Sequence, residues 1–171
     1  MSENALPCLE LLEATPAILR DLMSGLDDED VRWKPAPDRF SIGEVLAHLS
    51  HTEGHCYAAR LDLFLAGAGQ RLEPYDPEDY KAVYAKTDPE DAFDHFEDQR
   101  ATNLETLGNL SAADGARTAV HAKHGQVTLS EMLHEWALHD LGHIRQVAEL
   151  VRARKYLPGA GPFASSYPLK P

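Results

Sequence analysis

Two histidines four residues apart, His139 and His143, sit in a stretch whose apolar residues recur with a helical period. At about 100° per residue, Leu129, Met132, Leu133, Trp136, Val147, Leu150 and Val151 share one face. His143 falls inside that arc and His139 at its edge. On a helix such a pair has Cβ atoms roughly 6 Å apart, which lets two ring nitrogens reach one ion at about 2.0–2.1 Å. Left unpartnered in a core, a polar ring would cost on the order of 1–3 kcal/mol. Metal ligation removes that cost. So does a hydrogen bond to a carboxylate or a backbone carbonyl, and spacing alone does not choose. The zinc-protease signature is absent, because His134-Glu135 is followed by Trp136, Ala137 and Leu138, without the second histidine that signature needs.

A third ligand must come from another segment. His48 lies close to the apolar stripe of an earlier helix, formed by Ile42, Val45, Leu46, Leu49, Cys56, Leu63 and Phe64. His51 and His55 lie further round that helix and share the four-residue spacing, so periodicity leaves the choice open. His95, His121, His124 and His134 read as solvated or loop histidines. Three charged residues also fall on apolar stripes: Glu53, Arg100 and Asp140. The preferred reading is a structural ion network, because breaking a buried pair costs on the order of 3–5 kcal/mol. The functional reading gives Arg100 a substrate carboxylate to bind and lets Asp140 or Gln146 orient a ligating imidazole.

Four helices must position these groups. The patterns predict an all-α four-helix bundle with helices near residues 6–24, 41–66, 89–110 and 128–154, and no convincing strand. Ser41 with Glu44 and Thr128 with Glu131 form capping boxes, stapled by Phe40 with Val45 and by Val127 with Met132. Pro89 sits in the first turn of the third helix. Pro16 predicts a kink or break in the first, with Thr15 capping a second piece. Residues 68–88 form a connection long enough to cross the molecule or cover a site, and a crossover joins helices that run the same way. The segment 111–127 is polar, with Gly115 and Gly125, and the tail 155–171 reads as coil. Residues 1–171 read as one domain with its core in 6–154.

Composition narrows the function. Hydrophobic residues make up 43% and charged residues 26% of the 171 residues, enough for a full core without disulfides. A formal net charge of −12 repels phosphate backbones and weighs against nucleic acid and anionic membranes. Cys8 and Cys56 do not make a disulfide framework. The polar start, residues 1–4, lacks a signal-peptide pattern. No apolar run approaches membrane-spanning length, so the cytoplasm is the expected compartment.

Several segments together resemble the DinB/YfiT-like family of bacterial four-helix proteins. They are Trp33-x-Pro35; then Phe40-Ser41-Ile42-Gly43-Glu44-Val45-Leu46-Ala47-His48-Leu49 with Glu53; then Gly125-x-Val127-Thr128-Leu129-x-Glu131; and His139-Asp140-Leu141-Gly142-His143-Ile144-Arg145-Gln146. They fall in the family's order and span most of residues 6–154. The resemblance implies an up-down-down-up topology with a long crossover between helices two and three. It also implies one divalent ion, zinc or nickel, on His48, His139 and His143. Relatives include transferases that use low-molecular-weight thiols and a thiol-dependent isomerase.

Three histidine ligands leave a tetrahedral ion with an open position, the pattern of a catalytic site. The expectation is a metal-dependent transferase or hydrolase acting on a small molecule, with transfer to or from a low-molecular-weight thiol as its specific form. A non-catalytic bundle that binds a metal or small ligand is the alternative, and a metal-free association module is a third. A homodimer is compatible with all three. No clear general base stands out.

Overall fold

Two capping boxes set the registers of the helices that carry the histidines. Ser41 Oγ accepts from the Glu44 N–H at 3.2 Å, and Glu44 Oε2 accepts from the Ser41 N–H at 2.9 Å. Thr128 and Glu131 repeat the exchange at 3.2 and 2.7 Å. Each box satisfies donors that a helix start otherwise leaves unpaired. The computed structural model describes residues 5–168; the polar start 1–4 and the last three residues of the expected tail lie outside them.

The chain runs through α1 (Leu9–Met23), the short α2 (Asp28–Arg32) and α3 (Ile42–Thr52). A π-helical segment, Glu53–Ala58, leads without a break into α4 (Ala59–Ala66). Then come β1 (Arg71–Leu72), a 3-10 turn (Pro77–Tyr80), α5 (Lys81–Tyr84) and α6 (Pro89–Gly108). A second 3-10 turn, β2 (Thr118–His121), β3 (Gly125–Thr128) and α7 (Leu129–Val151) follow. No helix among the described residues is long and apolar enough to cross a membrane.

Residue pairings give the helix directions. Ser50 meets His95 and Glu53 meets Arg100, so the helix of α3 and α4 runs parallel to α6. His48 meets His139 while Glu53 meets Trp136, so it runs antiparallel to α7. Leu12 meets Arg100 and Arg20 pairs with Glu97, so α1 runs antiparallel to α6. The order is therefore up, down, down, up. Apolar packing falls into two regions: one around Leu19, Val45, Leu49, Phe96 and Val147, the other around Leu12, Tyr57, Phe64, Leu133 and Trp136.

Several local expectations need correction. Pro16 does not break the first helix; α1 is continuous through it. The missing Pro16 N–H would have bonded the Leu12 carbonyl. That carbonyl instead accepts from Arg100 Nη1 at 2.7 Å. Thr15 does not cap a second piece, and its hydroxyl donates back to the Leu11 carbonyl at 3.0 Å. Within 111–127 lies a hairpin, β2 against β3, with β1 parallel to β2 on its other edge. Its strands are too short and too polar for alternation to register, although Gly125, the first residue of β3, takes a left-handed backbone at φ 73° of the kind glycine favours where a hairpin turns. The last helix ends close to the expected boundary, its final stretch a π segment, Arg152–Tyr156, but two 3-10 turns replace coil in the tail. There Arg154 and Lys155 pair with the buried Asp30 of α2 at 2.9 and 2.5 Å.

Candidate metal centre

The antiparallel crossing of α3 and α7 brings His48, His139 and His143 to one point. The His139 Nε2 lies 3.1 Å from the His48 Nε2 and 3.2 Å from the His143 Nε2. One nitrogen of each ring falls within 4.8 Å of the other two. Two nitrogens bound tetrahedrally at about 2.05 Å to one ion would sit about 3.3 Å apart, so the spacing suits a divalent ion with little movement. His143 Nδ1 faces Gln146 Oε1 at 2.9 Å, which puts the His143 proton on Nδ1 and leaves Nε2 a bare lone pair. His139 Nδ1 is buried with no hydrogen-bond partner among the described residues; Asp140 Oδ1 lies 4.0 Å away.

Burial holds two of these rings neutral. It pushes His48 down to about 3 and His143 down to about 4, with the neighbouring imidazoles adding to the shift. Neutral imidazole is the ligating form, so at neutral pH both rings need no deprotonation to bind a cation. On its far side His48 Nδ1 sits 3.4 Å from both Tyr84 Oη and Thr52 Oγ1. Tyr75 Oη bridges that pair, 3.1 Å from Tyr84 Oη and 3.2 Å from Thr52 Oγ1, and lies 2.9 Å from His51 Nδ1. His51 stacks on His55 at 4.1 Å between ring centroids. Neither belongs to the convergent set.

The three histidines lie on the wall of a cleft of about 550 Å³, within the range of small-molecule sites. Tyr75, Pro77 and Glu78 of the 68–88 crossover line one side, and Arg60, His121 and Glu135 also line it. The crossover thus both crosses the molecule and covers the site. It is tied down where the Val120 N–H donates to the Gln70 carbonyl at 2.7 Å.

The charged residues on the apolar stripes meet beside the site rather than in it. Arg100 is 1% exposed, and all five of its N–H groups are paired. They go to both Glu53 carboxylate oxygens at 2.8 and 2.9 Å, both Asp140 oxygens at 2.7 and 3.1 Å, and the Leu12 carbonyl. Asn103 and Trp136 Nε1 also donate to Glu53. Burial opposes the charge on Arg100, but these hydrogen bonds outweigh it and raise its pKa. No donor remains for a substrate, so the structural reading of Arg100 is the one the geometry supports. Asp140 is bound to this network; Gln146 is the residue that contacts a histidine of the triad.

Sequence reasoning missed Thr52, Arg60, Tyr75, Tyr84 and His121. The tyrosines carried a signal, being clustered in a connection long enough to cover a site. Arg60 and His121 carried none.

The DinB superfamily profile matches residues 11–147. The chain belongs to the DinB superfamily. Among solved structures, this DinB chain matches YfiT from Bacillus subtilis, described as a probable metal-dependent hydrolase with an unusual four-helix bundle topology. The match has a TM-score of 0.75 and 20% identity, and covers 85% of this chain and 84% of that one. At that identity the likeness is one of fold. No curated protein matches the sequence.

Proposed function

We propose that this DinB-superfamily chain is a metal-dependent enzyme acting on a small molecule, with His48, His139 and His143 holding one divalent ion, zinc or nickel. Transfer involving a low-molecular-weight thiol is the favoured reaction and hydrolysis the alternative. The observation that carries the reading is the convergence of three imidazole nitrogens on the wall of a cleft sized for a small molecule. An ion there would supply Lewis acidity, which favours the anionic, nucleophilic form of a thiol or water.

The chain's own residues do the rest. Gln146 fixes the tautomer of His143, so that Nε2 and not Nδ1 faces the site. Tyr75 brings a hydroxyl to the cleft wall, hydrogen-bonded to Thr52, Tyr84 and His51. Burial raises the Tyr75 phenol, so it stays protonated at neutral pH and can donate a proton to a leaving group. Pro77 and Glu78 of the crossover line the same cleft.

The test is metal analysis of protein purified without a histidine tag, joined to a turnover screen pairing small thiols with electrophiles. The expected result is close to one divalent ion per chain and a rate that chelation abolishes and zinc or nickel restores. A metal-loaded protein with no turnover across the screen would favour a non-catalytic binding bundle. A rate indifferent to chelation and to loss of the histidines would overturn the reading.

A further inference from the structure

The cleft has a second chemical character away from the histidines. His48, Thr52, Cys56 and Arg60 all line it, at steps of four residues. In a regular α-helix each such step drifts by about 40°, so Arg60 would lie about 120° round from His48. The π-helical segment Glu53–Ala58 interrupts that drift, because a π turn holds more residues than an α turn. The slower winding carries Arg60 back to the line of the cleft. A π-bulge of this kind is a recurrent device at functional sites.

Arg60 arrives there without a partner: no carboxylate among the described residues lies within 4.0 Å of its guanidinium. Most other arginines of this acidic chain are paired. Glu78, across the cleft, is engaged with Lys81 at 2.6 Å. Glu135 lies beside the Tyr57 hydroxyl and beyond ion-pair distance from Arg60. His121 stands next to Arg60 at the end of β2. Its Nδ1 accepts the backbone N–H groups of Lys123 and His124 at 3.1 and 3.2 Å. The proton of the neutral ring therefore sits on Nε2, and the free edge of His121 is a donor. Both residues offer this stretch of wall donors and no acceptor.

We propose that Arg60 and His121 form an anion-binding wall that anchors a carboxylate of the substrate, opposite the end where the three histidines hold its reacting group. The orientation of the substrate, though not the anchoring, rests on the metal-site reading above. His48 and Arg60 are twelve residues apart, at most about 18 Å along the helix axis, and less because the π segment lies between them. Side-chain reach from both ends leaves on the order of 10 Å between anion and reacting atom. The substrate is thus an elongated small thiol, peptide-like in length, with a carboxylate remote from its sulfur. A guanidinium accepts a carboxylate through two parallel hydrogen bonds, which is the selectivity a lysine would lack.

The test uses the full chain loaded with cobalt and three probes. Glutathione carries thiol and carboxylates, its diethyl ester keeps the thiol and masks the carboxylates, and S-methylglutathione keeps the carboxylates and masks the thiol. Calorimetry reads binding, and the sulfur-to-cobalt charge-transfer band reads thiol coordination. S-methylglutathione should bind the unaltered protein. Arg60→Gln should weaken that binding roughly 10-fold or more, with little change for the diester. Arg60→Lys should recover part of the loss, and unchanged melting and cobalt spectra should show both variants folded and loaded. Equal affinity for S-methylglutathione in Arg60→Gln and the unaltered protein, or no binding by either, overturns the anion wall. A missing charge-transfer band with glutathione, alongside Arg60-dependent binding of S-methylglutathione, instead overturns the thiol reading and leaves the wall standing.

Discussion

His143 shows how one side chain serves two directions. Its Nε2 faces two other imidazoles, and its Nδ1 faces Gln146 at 2.9 Å. Losing an outer partner of a ligating histidine costs roughly 10–100-fold in metal affinity, so Gln146→Ala should weaken zinc binding by that amount in a competition titration. His48→Ala, His139→Ala and His143→Ala should each cost more. His95→Ala should cost nothing, because His95 is exposed and bonded to Ser50; a similar loss in that variant would count against the site. The same burial sets a pH dependence in the metal-free protein. Unfolded, both rings titrate near 6.5; folded, His48 and His143 titrate at about 3 and about 4. As pH falls below about 6.5 the unfolded chain takes up protons that the folded chain does not, so stability must fall. Thermal melts of chelated protein should decline from about pH 6.5 to 5, above the range of ordinary carboxylates. His143→Gln should flatten the decline, and a melting temperature constant across that window would contradict the neutral-ring assignment.

At the scale of elements, the Arg100 network joins pieces that no single apolar contact joins. It ties α1 through the Leu12 carbonyl, the π segment through Glu53, and α7 through Asp140. Asp140 adjoins His139, so the network also sets the rotation of α7 on which the triad depends. Pro16 contributes by omission, since the proton it lacks frees the carbonyl that Arg100 takes. Arg100→Ala would leave two carboxylates buried without their cation, a loss on the order of 3–5 kcal/mol. Denaturant melts should show that loss with no substrate present. A folded variant of unchanged stability that had lost only substrate binding would return Arg100 to the functional reading.

The whole molecule arranges these elements around an opening. Parallel running of the second and third long helices requires the 68–88 crossover, and that crossover supplies Tyr75, Pro77 and Glu78 to the cleft. The hairpin supplies His121 and anchors the crossover through β1. The net charge of −12 dominates long-range behaviour. Affinity for duplex DNA depends on cationic groups that neutralise phosphates. An anisotropy titration at physiological salt should therefore show no sub-micromolar binding, and such binding would require a concentrated basic surface that this chain does not carry in its sequence.

Much of this was legible in the residues before any coordinates. Capping boxes at Ser41 and Thr128 are local hydrogen-bond patterns, so they fixed two helix starts directly. The i,i+4 pair His139 and His143 on an apolar face is likewise local. Choosing His48 over His51 was not: periodicity left both open, the family resemblance implied His48, and the crossing of α3 with α7 placed its ring in the cluster. Arg60 lay beyond periodicity altogether, because a π turn breaks the 3.6-residue rule by which faces are assigned from sequence. Pro16 does not break its helix, for a reason that local sequence does not carry: the partner that takes up the Leu12 carbonyl lies 88 positions away in the chain. Local patterns decide where helices begin and which face is apolar. Which side chains share a cleft, and whether a buried charge is consumed or free, depends on contacts distant in sequence that exist only once the helices have packed.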